Sequence, residues 1–483
     1  MNLPPSAAVV LIAYIAGITA LGAWLGRRGR SVRDYFLAGH SVPWWAVAAC
    51  IVATETSTLT FIGVPAMAYG GNWTFLQLAF GYVLGRMLIA VLFVPAYFRG
   101  ELYTSYELLQ QRFGGGAVRA TSAAIFLLYR TLADGIRLHA AALVVAVIAG
   151  VPEAACILVL GAAMIVYTEE GGVTATIWTD ALQMLVYLAG AVVCLVAVVR
   201  LLPGGAGPAF EAAAAAGKLQ VLDAAFDPHR PYTLWAGVVG GLFLTLATHG
   251  TDHYLVQRLL VARGRRDASI GLVLSGVLVL AQFVLFLALG TLLWAHYGGR
   301  TFGRPDEVLP TFVSEALSGG WTGFILAAIV AAALSPSLNS MASTTVRDFY
   351  LPYVHPGADE TRQMVVSRGF TVFWGTAQIV VALLAQGVDS ALNQGLAALA
   401  YASGPTVGAF VLGVLTRSAT SAGTIAGMIC GLVLSLSVGA LAPLVLGQAG
   451  IAWTWNVAVG ATTTIAVGWT ASRLGLGLRP ATA

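Results

Sequence analysis

Apolar and polar positions along this chain group into long blocks rather than short periods. Uncharged runs of about 20 residues, the helix length that crosses a bilayer core, recur from one end to the other. We read thirteen of them, near 6–26, 44–70, 74–98, 120–150, 153–168, 173–201, 233–260, 268–296, 321–346, 366–387, 391–415, 420–446 and 452–472. In lipid every backbone N–H and C=O must find its partner within the protein, so such blocks predict helices and the whole predicts an all-α membrane protein. Two blocks are interrupted. The second carries "ATETSTLT" (53–60), and the seventh, five blocks later, carries "THGTDH" (248–253). Paired interruptions at matching places in two five-helix halves predict an inverted repeat of discontinuous helices, with carbonyls and half-helix ends left free near mid-membrane.

Composition agrees and excludes much. The 483 residues are 58% hydrophobic and 10% charged, where soluble domains carry roughly 25% charged residues. The net charge of +4 says less than its placement. Seventeen arginines follow blocks 1, 3, 7, 9 and 11 or close the chain, against five Lys or Arg on the opposite side. That bias predicts an outer N-terminus and a cytoplasmic C-terminus. No basic residue precedes the first block and "RRGR" (27–30) follows it, which reads as an anchor rather than a cleaved signal. With a single lysine, Lys218, there is no nucleic-acid patch, and no obligate protein partner is implied. Cys50, Cys156, Cys194 and Cys430 lie in apolar blocks at unrelated spacings, which argues against a disulfide framework or metal cluster. The expected organisation is an accessory span with a basic loop (1–43), a first half (44–201), an outer loop (202–232) whose "FEAAAAAGKL" forms a short surface helix, a second half (233–418), and two accessory spans (419–483).

Chemistry enters through the polar residues inside these blocks. Glu55 sits among Thr54, Thr56, Ser57, Thr58 and Thr60. A charged group at membrane depth costs on the order of 3 kcal/mol on insertion scales, so it asks for a cation, a proton, a substrate or a packing partner. Asp180, in "IWTDALQMLVYL" (177–188), has few opposite charges nearby in sequence, and its partner is read as a cation or a hydroxyl cluster on another helix. In "YRTLADGIRLHAAAL" (129–143) one acid, Asp134, stands between Arg130 and Arg137. It can neutralise one arginine at helical spacing. The other is then suited to grip a carboxylate in a fork of two hydrogen bonds. Arg137, with His139 close by, is the candidate, and Arg86 in the third block is its rival. His249 and His253 are four apart, but Gly250 stands where a zinc protease has glutamate; polar lining of the second break is the reading. No Ser/His/Asp order or catalytic carboxylate pair stands out, so the chain is not read as an enzyme.

The stretches "DYFLAGHSVPWW" (34–45), "YTEEGGVTATIWTDALQ" (167–183), "GTDHYLVQR" (250–258), "SLNSMASTTVRDFY" (337–350) and "SGPTVGAFVLGVLTRSATSAGTIAG" (403–427) resemble, in order, the sodium:solute symporter family of proline, sialic acid, sugar, iodide and monocarboxylate carriers. The resemblance implies a LeuT-like core of ten helices, here spans 2–6 and 7–11, with one accessory helix before it and two after. It implies a principal sodium ion held by the carbonyls of Ala53 and Thr56 and by groups on the eighth core helix. Substrate contacts are implied at Glu55, Ser57 and Thr60, at Gln77 on the next helix, and near Arg137. Some members carry a second sodium site on an aspartate at the position of Asp180 with serines of the eighth core helix. One departure stands out: the two sodium-binding hydroxyl positions fall on Ala332 and Ala333, while Ser335 and Ser337 lie a turn further along around Pro336. An alanine methyl cannot ligate a hard cation. The ion is then held by Ala53, Thr56 and a carbonyl with Ser335, or sits lower between Asp180 and Ser335, or is replaced by a proton on Glu55 or Asp180. The expected function is a plasma-membrane secondary transporter that imports a small, carboxylate-bearing organic solute with sodium by alternating access. Proton coupling is the nearest alternative. A transporter-like membrane sensor is a further one, against which the close of the chain at "RLGLGLRPATA" counts.

Overall fold

The structure, a computed structural model, describes residues 4–26, 40–100, 102, 104–170, 173–333, 337–387, 390–441 and 450–475. Its principal helices are α1 (Pro5–Gly26), α2 (Trp44–Glu55), α3 (Thr58–Gly70), α4 (Leu76–Leu92), α5 (Glu107–Phe113), α6 (Gly116–Ala149), α7 (Glu153–Glu170), α8 (Val173–Leu201), α9 (Leu234–Thr245), α10 (His253–Leu260), α11 (Arg265–Tyr297), α12 (Gly320–Ala333), α13 (Leu338–Thr345), α14 (Glu360–Leu384), α15 (Ala391–Leu415), α16 (Ser421–Leu436) and α17 (Asn456–Arg473). Every apolar block contains one or two of them. The 202–232 loop carries the short helix Ala206–Ala215, as its alanine run predicts.

Among the described residues eight helices are long and apolar enough to span a membrane, nine with α2 and α3 taken as one bent span.

Both expected breaks are present, and they are built differently. Between α2 and α3 the chain turns by 68° through Thr56 and Ser57, both in extended conformation. Ser and Thr side chains offer the backbone alternatives to the helix ladder, and Thr54 already bonds back to the Cys50 carbonyl at 2.7 Å. At the second break α9 widens into a π-turn, Leu246–Thr251. Asp252 is then extended and caps α10, its Oδ1 accepting from Tyr254 N at 2.8 Å.

Close backbone approach sets the broken helices beside their neighbours. On α4 and α9 the glycines Gly81, Gly85, Gly237 and Gly241 face one another. A methyl on Gly237 would sit 2.9 Å from the Gln77 carbonyl carbon, so small residues four apart let these helices touch. Around the breaks, α11 packs on α2 and α3, α8 on α2, and α15 on α3 and on the π-turn, while α6 lies against α15 and α3. Outside this core α16 and α17 pack on each other and on α15.

Candidate functional site

A helix leaves its last four carbonyls without intrahelical donors, and α2 ends inside the protein. Thr56 N still reaches the Val52 carbonyl at 2.9 Å, and Tyr187 Oη adds a second donor to it at 3.3 Å. Past that point the extended Thr56 and Ser57 carry the chain away, so the carbonyls of Ala53, Thr54 and Glu55 lose the donors an unbroken helix would supply. Ser57 makes no side-chain cap. The Thr56 hydroxyl donates to Gln282 Oε1 at 3.0 Å, which ties the break to α11.

Next to this break lies a cavity of about 90 Å³. Of the six residues expected to contact substrate it brings together Glu55, Ser57, Thr60 and Arg137, and it adds Arg130, Thr248 and His249. Phe75, Phe283 and Leu392 supply apolar wall. The Glu55 carboxylate is paired with Arg86, a fully buried guanidinium on α4 that also donates to Ser275 Oγ at 3.2 Å. His249 Nε2 lies 3.1 Å from Arg86 Nη2 and 3.6 Å from Glu55 Oε2, so the second break closes this group. Arg86 is therefore not the free arginine the sequence offered as a rival. It is the partner that makes a buried glutamate tolerable, since an ion pair is costly mainly when one member is missing.

The second charge cluster corrects the arithmetic of the long helix α6. Arg130 pairs with Asp252 and lies 3.6 Å from Asp134, and Tyr129 Oη donates to Asp252 Oδ2 at 3.0 Å. Asp252, 122 residues away on the second break, is the second acid that local spacing could not reveal. Arg137 is left with Asp134 at 3.8 Å, while Ser337 Oγ also donates to Asp134. Arg137 Nε and Nη1 are buried with no hydrogen-bond partner among the described residues, and the residue lines the cavity. Buried donors normally have partners.

The remaining expected residues lie elsewhere. Gln77 is fully buried above the cavity, donating to the Tyr232 carbonyl at 2.9 Å and accepting from Asp223 N at 3.2 Å, so it fastens the outer loop. His139 Nδ1 lies 2.7 Å from Glu153 Oε1 and does not line the cavity. Residues two apart on a helix face nearly opposite ways, which is why Arg137 and His139 diverge. Asp180 meets Thr54 Oγ1 at 3.3 Å and Arg258 Nη2 at 3.4 Å. Its opposite charge thus comes from α10. Ser337 reaches Asp134 and Gln378 rather than Asp180, and Ser335 lies outside the described residues. Ala332 is buried on α12. Sequence reasoning missed Gln282, Asp252 and Arg258. A lone glutamine in the apolar run of α11 was a visible signal for the first.

A bundle of apolar helices with two broken members flanking a polar cavity defines a membrane transporter, not an enzyme. The family model described as "Sodium:solute symporter family" matches residues 35–431, and the chain belongs to that family. It is 31% identical to the human sodium/iodide cotransporter over 442 residues, covering 88% of this chain and 68% of that one. It is 27% identical to the sodium/sialic acid symporter NanT of Aliivibrio fischeri (strain ATCC 700601 / ES114), covering 86% and 83%. Among solved structures, a sodium-coupled sialic acid symporter in a substrate-bound outward-open state superposes with a TM-score of 0.87 at 24% identity, over 97% of this chain and 98% of that one. The nucleobase-cation-symport-1 family transporter Mhp1 superposes at 0.60 and 16% identity, over 91% and 94%. These likenesses show the fold, a LeuT-like one with discontinuous helices. Sodium-coupled solute symport is the activity of this class, with a solute that differs among relatives.

Proposed function

We propose that this protein imports a small carboxylate-bearing solute with sodium across the plasma membrane, its N-terminus outside and its C-terminus in the cytoplasm. The observation that carries the reading is the Arg137 guanidinium, which lines the cavity, lies 3.8 Å from Asp134, and has no hydrogen-bond partner for Nε or Nη1 among the described residues. A carboxylate placed there gains charge-assisted hydrogen bonds that the empty cavity lacks. Ser57 and Thr60, at the start of α3, line the same space, where the positive end of a half-helix favours an anion. Two relatives are named for iodide and sialic acid and a third, from Xenopus laevis, for monocarboxylates; each of these solutes is an anion at neutral pH. The coupling ion rests on the carbonyls of Ala53 and Thr56, with Asp180, Ser335 and Ser337 as its further candidates and Glu55, Ser57, Thr60 and Arg137 as the substrate set.

Proton coupling is the second reading, and one feature favours it. The expected hydroxyls are Ala332 and Ala333, and Asp180 is engaged by Arg258 and Thr54. Uptake of a carboxylate panel into proteoliposomes under an imposed sodium or proton gradient separates the two. The proposal expects sodium-driven uptake that Arg137→Ala abolishes and Glu55→Gln weakens. Uptake driven by protons alone, and lost in Asp180→Asn, would transfer the case to the second reading.

A further inference from the structure

Two grooves open on the outside of the bundle, and their charges differ. The larger, about 430 Å³, is apolar with one arginine, Arg200, and an exposed Trp321. The smaller, about 230 Å³, lies at the opposite, arginine-rich end, between the last turn after α4, the loop helix α5 and the end of α15. Its walls are Ala96, Leu108, Leu109 and Val414, and two arginines, Arg99 and Arg112, stand at it. Arg112 spends one nitrogen on the Thr416 carbonyl, at 2.6 Å. Its guanidinium also lies over the Phe113 ring, 5.3 Å from the centroid, while neither Arg99 nor Arg112 has a carboxylate partner among the described residues, and Arg99 is exposed.

We propose that this smaller groove is a binding site for an anionic phospholipid, its phosphate held between Arg99 and Arg112 and an acyl chain laid along Leu108, Leu109 and Val414. Apolar walls alone would take any lipid tail. Two guanidinium groups at one end with no carboxylate partner among the described residues select a headgroup of negative charge, because Arg presents a fork that matches phosphate oxygens. Basic pockets between helices on the cytoplasmic side of membrane proteins hold such headgroups, and the orientation proposed above places the groove there. Binding also has a mechanical consequence. Arg112 already joins α5 to the end of α15, so a phosphate shared with Arg99 would fasten the loop between α4 and α6 to the helix that walls the cavity through Leu392, Gly395 and Leu399.

The test is titration of phosphatidylglycerol into the full-length protein in phosphatidylcholine nanodiscs, read as saturable thermal stabilisation, with inorganic phosphate as a separate arm. Wild type is expected to show saturable preference for phosphatidylglycerol. Arg99→Gln should weaken it about fivefold, and the double change with Arg112→Gln about 25-fold, the ratios expected for arginines at an anionic surface. Arg99→Lys should recover most of the loss, and Arg200→Gln in the other groove should leave the preference intact. Because Arg99 makes no side-chain contact within the described protein, Arg99→Gln decides the matter even if Arg112→Gln fails to fold. Equal affinity in wild type and Arg99→Gln, an equal loss in Arg200→Gln, or full stabilisation by inorganic phosphate alone would overturn the proposal.

Discussion

The two helix breaks occupy matching places in the two halves, yet they solve the same backbone problem in opposite ways. The second is braced: a π-turn eases the chain out of α9, Asp252 caps α10, and the same carboxylate takes Arg130 and Tyr129. The first is left open. Ser57 makes no side-chain cap, and the carbonyls of Ala53, Thr54 and Glu55 lose the donors an unbroken helix would supply. Its charged fastening is Glu55, whose partners Arg86 and His249 belong to other helices, and the Thr56 hydroxyl adds a neutral tie to Gln282 at 3.0 Å. One break is a strut and the other, in the proposed function, the binding surface, which is the asymmetry a carrier needs if one element is to hold an ion while another holds the frame.

The sharpest way to break that comparison is to remove each anchor in turn. Asp252→Ala should be the most damaging change to folding, on the order of 3–5 kcal/mol, because it strands the buried Arg130. A thermal melt of the detergent-purified protein reads it. Glu55→Gln should cost less, about 1–3 kcal/mol, since Ser275 and His249 still face Arg86, while uptake falls at least tenfold. If Glu55→Gln destabilised more than Asp252→Ala, the roles of strut and surface would be reversed. Next in size is Arg137→Ala, expected to raise the KM for a carboxylate at least tenfold with little change in melting temperature; Arg137→Lys should recover only part, because a single ammonium cannot replace the fork. Ser57→Ala should then shift stability by less than about 0.5 kcal/mol, whereas a helix cap of the Asp252 kind is worth about 1 kcal/mol.

The smallest effect concerns the outer end of the first break's helix. Asp306, in the loop packed on α3, accepts from Ala391 N at 2.7 Å, and burial pushes its carboxyl up to about 6 against the pull of that N–H. A carboxyl raised in this way favours the folded state most when protonated. Its contribution is complete below about pH 4, the unfolded value, and is lost as pH rises through about 6. Asp306→Asn should flatten the melting temperature across that window. A wild-type profile that already rises from pH 4 to 6, with Asn unchanged, would contradict the sign.

What sequence could reveal follows from how far each cause reaches along the chain. Both breaks were legible because hydroxyl-rich and His/Asp-bearing stretches interrupt apolar blocks locally. The pairing of charges was not. Glu55 finds Arg86 on a neighbouring helix, Arg130 finds Asp252 across 122 residues, and Asp180 finds Arg258 across 78. Residue spacing carries no trace of such contacts. His139 is a different case: helical geometry alone places it away from Arg137, and its contact with Glu153 Oε1 at 2.7 Å agrees. Gln77 shows the limit of resemblance, since its amide is taken by Tyr232 and Asp223 of the outer loop.

The open first break and the arginine beside it stand or fall together on one measurement: the melting temperature of the purified protein across a panel of carboxylates and neutral solutes, each in sodium and in choline. A ligand that binds only the folded state stabilises it by mass action, about 2.7 kcal/mol at 100 times its Kd. The account predicts that a carboxylate protects in sodium, not in choline, and not at all in Arg137→Ala. Protection by a neutral solute that ignores both the cation and Arg137 would contradict it.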